Sequence, residues 1–327
     1  MGSRRCLLSL FAALVAIFTP TFLAGAAPAS AEPTASLLVS GLQGSFGSTV
    51  GPGGDLYVAE GAARRVSRID PETGTVTTFA SGLPAQVIPG AGGATDVVFI
   101  GRTAYVLVQF IGPFLGGPDE VNGIYRVDGP HTFSVVADIG AFNVANPPDT
   151  DFDLPTGVQT SLQAFRGGFL VTDGHLNRML RVTRDGDISV LRAFENVVPV
   201  GLETWGNRIF MAEAGPLPHL PADGKIVSFT PRSSTVTEVA AGGPLLVDVE
   251  RGRGARLYGL AQGIWPLGGP EGSPAMPNTG QLLRVKGDGT FTVIAGGLNQ
   301  PTSLEIIKNT AYIVTLGGEI WKIDDIS

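Results

Sequence analysis

Cysteine is almost missing from this chain. One residue of 327 is cysteine, Cys6, and it lies in a leader-like N-terminal segment. Without it the remainder has no disulfide framework, no thiol nucleophile and no thiolate zinc site. Charge is sparse as well. Asp, Glu, Lys and Arg make up 16% of the residues, and 22 basic side chains face 29 acids for a net charge of −7. That balance argues against a nucleic-acid partner, which would want the opposite sign. Several catalytic signatures are absent too. There is no Gly-x-Ser-x-Gly elbow, no phosphate-cradling Gly-x-x-x-x-Gly-Lys-Ser/Thr loop and no EF-hand loop. After the leader, no run is long and apolar enough to span a bilayer.

What the chain does have is 46 Gly, 24 Pro and a 43% apolar composition. Such a composition suits many short strands joined by turns. Six times a strand with an aromatic near its start returns, and the aromatics are Tyr57, Tyr105, Phe169, Phe210, Tyr258 and Tyr312. A second strand follows each, usually ending in Arg-Val/Ile-x or Lys-Ile-Asp, over residues 65–70, 123–128, 178–183, 225–230, 281–286 and 319–324. The aromatics are spaced by 48, 64, 41, 48 and 54 residues. The shortest interval matches the ~40–45 residues of a four-stranded propeller blade, and the longer ones carry insertions.

The repeats predict an all-β fold, a six-bladed β-propeller. Blades are expected near 44–84, 92–140, 153–198, 199–243, 245–298 and 300–326. The last unit lacks a fourth strand. Residues 36–40, Ser-Leu-Leu-Val-Ser followed by Gly-Leu, resemble the fourth strand of the first blade, Thr-Thr-Phe-Ala-Ser followed by Gly-Leu. The N-terminal strand is therefore expected to complete the last blade and close the ring, removing exposed sheet edges.

Residues 1–31 read as a cleaved signal peptide ahead of a single propeller domain over 32–327. Arg4 and Arg5 open it, residues 7–18 are apolar, and Ala29-Ser30-Ala31 is a small-x-small site before Glu32. Pro20 interrupts the apolar stretch, which argues against a membrane helix. The paired arginines also resemble a twin-arginine signal, although the general export route is favoured. Cleavage leaves 20 basic residues against 29 acids, a charge of −9, and the mature protein is expected to be secreted or extracytoplasmic.

Insertions follow the second strand of several blades, at 109–122, 214–224 and 262–280, with a further one at 141–155 between blades. They carry Phe114, Trp265 and Met276. Loops gathered on one face of a repeat structure often form its binding surface, so a small molecule or a protein is the expected partner. Ordinary loop packing explains the same residues equally well.

Four segments resemble one family: Gly53-Gly54-Asp55-Leu56-Tyr57-Val58-Ala59-Glu60, Ile69-Asp70-Pro71-Glu72-Thr73-Gly74, Phe79-Ala80-Ser81-Gly82-Leu83-Pro84 and Thr172-Asp173-Gly174-His175-Leu176-Asn177-Arg178. With the leader in front, the chain is similar to ScyD/ScyE proteins, secreted propellers related to NHL repeats. The family takes its name from clusters that make an exported pigment. The resemblance implies a fold and an export route, and carries over no catalytic residues.

Related six-bladed propellers hold a divalent cation in the channel with inner-strand Glu, Asp and Asn, and oxygen ligands of this kind suit calcium. The corresponding acids here are Asp96, Glu203, Asp248 and Glu305; Glu203 and Glu305 each precede their aromatic by seven residues. Grouped near one axis, these acids would repel unless protonated or bound to a cation. Inner-strand Asn is scarce, so channel-lining polar residues around water are the favoured reading. His175 is a candidate base or ligand. Its neighbours also suit a plain turn, with Asp173 and Asn177 bonding their own backbone and Arg178 pairing with an acid of another blade. His131 and His219 are expected to be exposed. A non-catalytic binding or scaffold propeller leads, and a metal-dependent hydrolase or lactonase centred on the channel is the alternative.

Overall fold

The computed structural model describes residues 34–150 and 152–327. The expected cleavage pair Ala31 and Glu32 lies outside the described residues. Strand β1 spans Ala35–Val39. Blade 1 holds β2–β5 (Ser45–Val50, Leu56–Glu60, Arg65–Ile69, Val76–Ser81), and blade 2 holds β6–β9 (Gly93–Ile100, Thr103–Gln109, Gly123–Gly129, Thr132–Asp138). A short helix, α1 (Ile139–Ala145), leads into blade 3 with β10–β13 (Gln159–Phe165, Gly168–Asp173, Arg178–Val182, Ile188–Ala193). Blade 4 holds β14–β17 (Pro199–Trp205, Arg208–Glu213, Lys225–Phe229, Thr237–Ala241). Blade 5 holds β18–β21 (Leu246–Arg251, Leu257–Ala261, Gly280–Val285, Phe291–Leu298), and blade 6 holds β22–β24 (Pro301–Ile307, Thr310–Thr315, Ile320–Ile323). Each sheet is an antiparallel meander of four strands, and the sixth runs β1-β24-β23-β22. The six-bladed propeller and its closure by the N-terminal strand are both present, with Ala35 opposite Ile323 and Val39 opposite Ile320.

The apolar core is divided into slices, one between each pair of neighbouring sheets. Tyr57, Val66, Val97 and Val106 fill the slice between blades 1 and 2, and Tyr105, Leu107, Phe169 and Leu180 fill the next. The landmark aromatics explain themselves here. Tyr57 packs edge-on against Phe99, and Tyr105 against Phe169, with ring centroids 4.7 Å apart in both pairs. Such pairs add to plain burial. The closing slice joins Val39 and Tyr312 to Leu56 and Val58, and the Tyr312 hydroxyl donates to the Pro71 carbonyl of blade 1 at 3.2 Å.

A register shift sits early in the pairing of the two inner strands of every blade, between Ser45 and Ser48 in blade 1 and at the matching place in the other five. A bulge bends its strand and re-aims the residues next to it. Here it fixes which side chains the inner strands present around the axis. Helix α1 was not foreseen, because residues 141–155 read as loop. Asp138 caps it, accepting the Ala141 amide at 2.8 Å.

Removing residues 32–42 should destabilise the propeller by at least about 3 kcal/mol, from the lost burial of Val39 and Leu42 alone, and expose the edge of β24. Thermal unfolding and size-exclusion chromatography would show a lower midpoint and self-association. An unchanged midpoint would contradict ring closure by β1.

Candidate functional site

At the bulge or just after it, each inner strand offers one equivalent position. Read from blade 1 to blade 6, its occupants are Gly47, Asp96, Ser161, Gly201, Asp248 and Ser303. The order Gly-Asp-Ser thus occurs twice. Asp96 accepts the Leu162 amide of blade 3 at 2.7 Å, and Asp248 accepts the Leu304 amide of blade 6 at 2.8 Å. The second oxygen of each takes the amide of its own next residue, Val97 or Val249, at 2.8 and 2.9 Å. Ser303 approaches Asp248 at 3.4 Å and also bonds Ser48 of blade 1 at 2.9 Å. The two aspartates are latches between blades. The glycines make room for them, since a methyl group on Gly47 would overlap Asp96 and one on Gly201 would overlap Asp248.

Two residues further on stand Thr49, Val98, Gln163, Glu203, Glu250 and Glu305. Three successive blades therefore present glutamate, and the other three present neutral side chains. All of these except Val98, together with the Gly-Asp-Ser positions, line a cavity of about 170 Å3 on the central channel. The four acids expected from the sequence do converge. Glu250 was overlooked, because Gly-Leu-Glu and Ser-Leu-Glu drew attention to Glu203 and Glu305 while blade 5 reads Asp-Val-Glu; the register alone would have found it.

Burial and mutual repulsion push these carboxyl groups upward. Glu203 is raised to about 7, chiefly by burial, with Arg251 at 3.7 Å opposing the shift. Glu305 and Glu250 lie well above the usual range, through burial first and then through nearby carboxylates, Asp248, Asp96 and Glu203 for Glu305, and Glu305, Glu203 and Asp248 for Glu250. Asp96 rises to about 8 and Asp248 to about 7, because burial outweighs their amide donors. The oxygen-rich lining suits calcium in kind, but it does not fit in arrangement. Asp96 and Asp248 already use both oxygens on amides, and among the described residues no three His, Cys, Asp or Glu side chains are grouped to hold a metal ion.

His175 stands apart from the channel, in the β11–β12 turn. Its Nε2 accepts the Leu154 amide at 3.4 Å, its ring lies 5.1 Å from that of Phe152, and Nδ1 is 3.8 Å from Glu271 of the 262–280 insertion. The turn itself is shaped as expected. Asp173 accepts the Leu176 amide at 2.9 Å, and Asn177 adopts a left-handed φ of 49°. Arg178 departs from expectation: among the described residues it pairs with no acid and instead donates to the Asn146 carbonyl and to Asn143 Oδ1, both at 2.7 Å, tying down α1. His219 is not exposed either. It is half-buried, donates from Nδ1 to the Gly215 carbonyl at 2.7 Å and packs against Trp265 with centroids 6.0 Å apart. Trp265 is itself buried with Ala214, Leu245 and Ala275, so much of the apolar content of the insertions holds loop to loop. Phe114 and Met276 remain exposed.

Neither a family model nor a curated protein sequence matches the chain. Solved structures do. A streptogramin B lyase superposes with a TM-score of 0.57 at 14% identity, covering 89% of this chain and 97% of the lyase. A gluconolactonase from Xanthomonas campestris gives 0.60 at 12% identity, covering 90% of each chain. A PQQ-bound aldose sugar dehydrogenase from Streptomyces coelicolor gives 0.57 at 14% identity, covering 90% of this chain and 99% of that one. At such identities the likeness shows the shared propeller fold.

Glu203 gives a pH dependence of defined sign. Its folded pKa of about 7 exceeds its ordinary value of 4.5, so its contribution is fully present below 4.5 and is lost as pH rises through 7. Denaturant unfolding should show stability falling by roughly 2–3 kcal/mol across that window, with a shallower fall in Glu203→Gln. Asp248→Ala should cost about 2 kcal/mol by orphaning the Leu304 amide, and more than Asp248→Asn.

Proposed function

We propose that the protein is an exported propeller of ScyD/ScyE type that binds a small cationic ligand at the acidic wall of its central channel. One observation carries this reading. Glu203, Glu250 and Glu305 come from three successive blades and meet on one cavity, and the basic side chain near them, Arg251, is 3.7 Å from Glu203 and turned partly onto the Trp205 ring. Carboxyl groups held neutral by burial and repulsion can ionise when a positive group enters, so binding would release protons. The insertions at 109–122, 214–224 and 262–280 all connect second to third strands, which places them on one face and makes that face the natural entrance.

A second reading is enzymatic. Glu203, raised to about 7 beside Arg251, has the pKa that a general acid or base needs near neutral pH. The gluconolactonase and the lyase of similar fold make acid–base chemistry on a small ester or lactone a reasonable reaction class. Such chemistry would run on the carboxyl groups of the channel, given the poor fit to a metal.

Calorimetry of the mature chain, 32–327, with 1,4-diaminobutane and with calcium chloride, in two buffers of different ionisation enthalpy, separates the readings. Diamine binding with proton release, weakened about tenfold in the Glu203→Gln/Glu305→Gln double variant, is the expected result. Stoichiometric calcium instead would overturn the cationic-ligand reading in favour of a metal site. Turnover of lactones or esters abolished by Glu203→Gln would establish the enzymatic reading.

A further inference from the structure

The Arg-Val/Ile-x and Lys-Ile-Asp endings of the third strands mark one position that is basic in five of the six blades. Its occupants are Arg68, Arg126, Arg181, Ser228, Arg284 and Lys322, each opposite the landmark aromatic of the second strand or, for Arg181, opposite Leu170 beside it. In three blades an aspartate neutralises it. Arg68 pairs with Asp55, Arg126 with Asp128 at 2.6 Å, and Lys322 with Asp324 at 3.3 Å. Asp128 and Asp324 stand two residues beyond their partners. In blade 3 that place is taken by Thr183, whose hydroxyl accepts the Asp187 amide at 3.0 Å. Arg181 is left without a carboxylate within 4.0 Å among the described residues.

Arg181 is also not alone. With Arg126, Arg166 and Arg184 it lines a concavity of about 400 Å3 between blades 2 and 3. Arg166 occupies the tight β10–β11 turn at a φ of 50°, followed by Gly167 at 77°, and its guanidinium is held by Asn207 Oδ1 of blade 4. Arg184 has no carboxylate within 4.0 Å among the described residues either. Asp185 is the carboxylate in the lining, and it is exposed. The concavity lies at the ends of the first-to-second and third-to-fourth strand turns, the face opposite the insertions.

Three of the four guanidinium groups about this hollow have no carboxylate within 4.0 Å among the described residues, and the chain as a whole is acidic, so general anion attraction does not account for them. We propose that this hollow is an anion-binding site for a phosphate or sulfate ester, independent of the channel. Planar guanidinium forks match the paired oxygens of such groups and remain charged at any physiological pH. The volume points to an ester rather than a bare ion. It is many times the roughly 30 Å3 that one water occupies in the liquid, which leaves room for the carbon skeleton beside Tyr105 and Gly168.

The test is isothermal titration of the mature chain with glucose 6-phosphate, glucose 6-sulfate, inorganic phosphate and glucose. The expected result is binding of the two esters, weaker binding of inorganic phosphate and none of glucose. The Arg181→Gln/Arg184→Gln variant, which alters two exposed side chains, should bind the esters about tenfold more weakly, with an unchanged thermal midpoint. Arg253→Gln, on the 3-10 turn before β19, should bind as the parent does. Failure of both esters to bind, or equal binding by the double variant, would overturn the site. Equal affinity for inorganic phosphate would overturn its assignment to an ester. None of these outcomes depends on Glu203 or the channel.

Discussion

The molecule depends on one pairing, that of Ala35–Val39 with Ile320–Ile323. The blades pack against their two neighbours, and the apolar core lies mainly in the six slices between them, with a smaller cluster about Trp265 among the insertions. A ring of this kind has no independent centre to fall back on. If the last blade lacks its outer strand, the slice between blades 6 and 1 loses Val39, and the edge of β24 stands open. The chain answers a problem common to antiparallel sheets, the unsatisfied edge, by joining its two ends. The inner strands add polar links to the apolar ones. The hydroxyl of Thr302 in blade 6 donates to the Phe46 carbonyl of blade 1 at 2.8 Å, and Ser45 of blade 1 donates to the Thr315 carbonyl of blade 6 at the same distance.

Much of this is legible in the sequence, because propeller repeats are local. A blade is a meander with short turns, and its aromatic, its turn residues and its closing apolar strand all lie within a few dozen residues. The incomplete last unit and the orphan strand at 36–40 complement each other on inspection. Contacts between blades are harder to read. Asp96 could be recognised as an inner-strand acid, but its engagement with the Leu162 amide depends on how one sheet is rotated against the next. Glu250 is hidden for a narrower reason: its flanks read Asp-Val-Glu, unlike Gly-Leu-Glu and Ser-Leu-Glu, and strand register is what aligns it with Glu203 and Glu305. Arg178 looked like one half of an ion pair and instead braces a seven-residue helix, which residues 139–145 do not advertise because their helix signal is short and follows a strand without a break. His219 could not be placed from its Pro-rich surroundings, since its burial comes from Trp265 of another blade.

Burial and repulsion, taken together, determine the character of the channel. Desolvation raises all five inner acids, and proximity raises Glu250 and Glu305 further. The two aspartates are committed to amides, and the three glutamates keep their capacity for a ligand or a proton. The same strands therefore supply both structure and chemistry, separated by two residues along the chain. Substitutions at the first position act on stability, and substitutions at the second act on what the cavity holds.

The double Gly-Asp-Ser pattern has one further consequence. Rotating the ring by three blades carries Asp96 onto Asp248 and Ser161 onto Ser303, yet carries Thr49, Val98 and Gln163 onto Glu203, Glu250 and Glu305. The scaffold is close to two-fold, and the lining is not. One wall of the passage is neutral and the facing wall is acidic, so the passage has a transverse polarity that the backbone does not share. A guest with one positive end would be turned broadside by that polarity and held in a single azimuth.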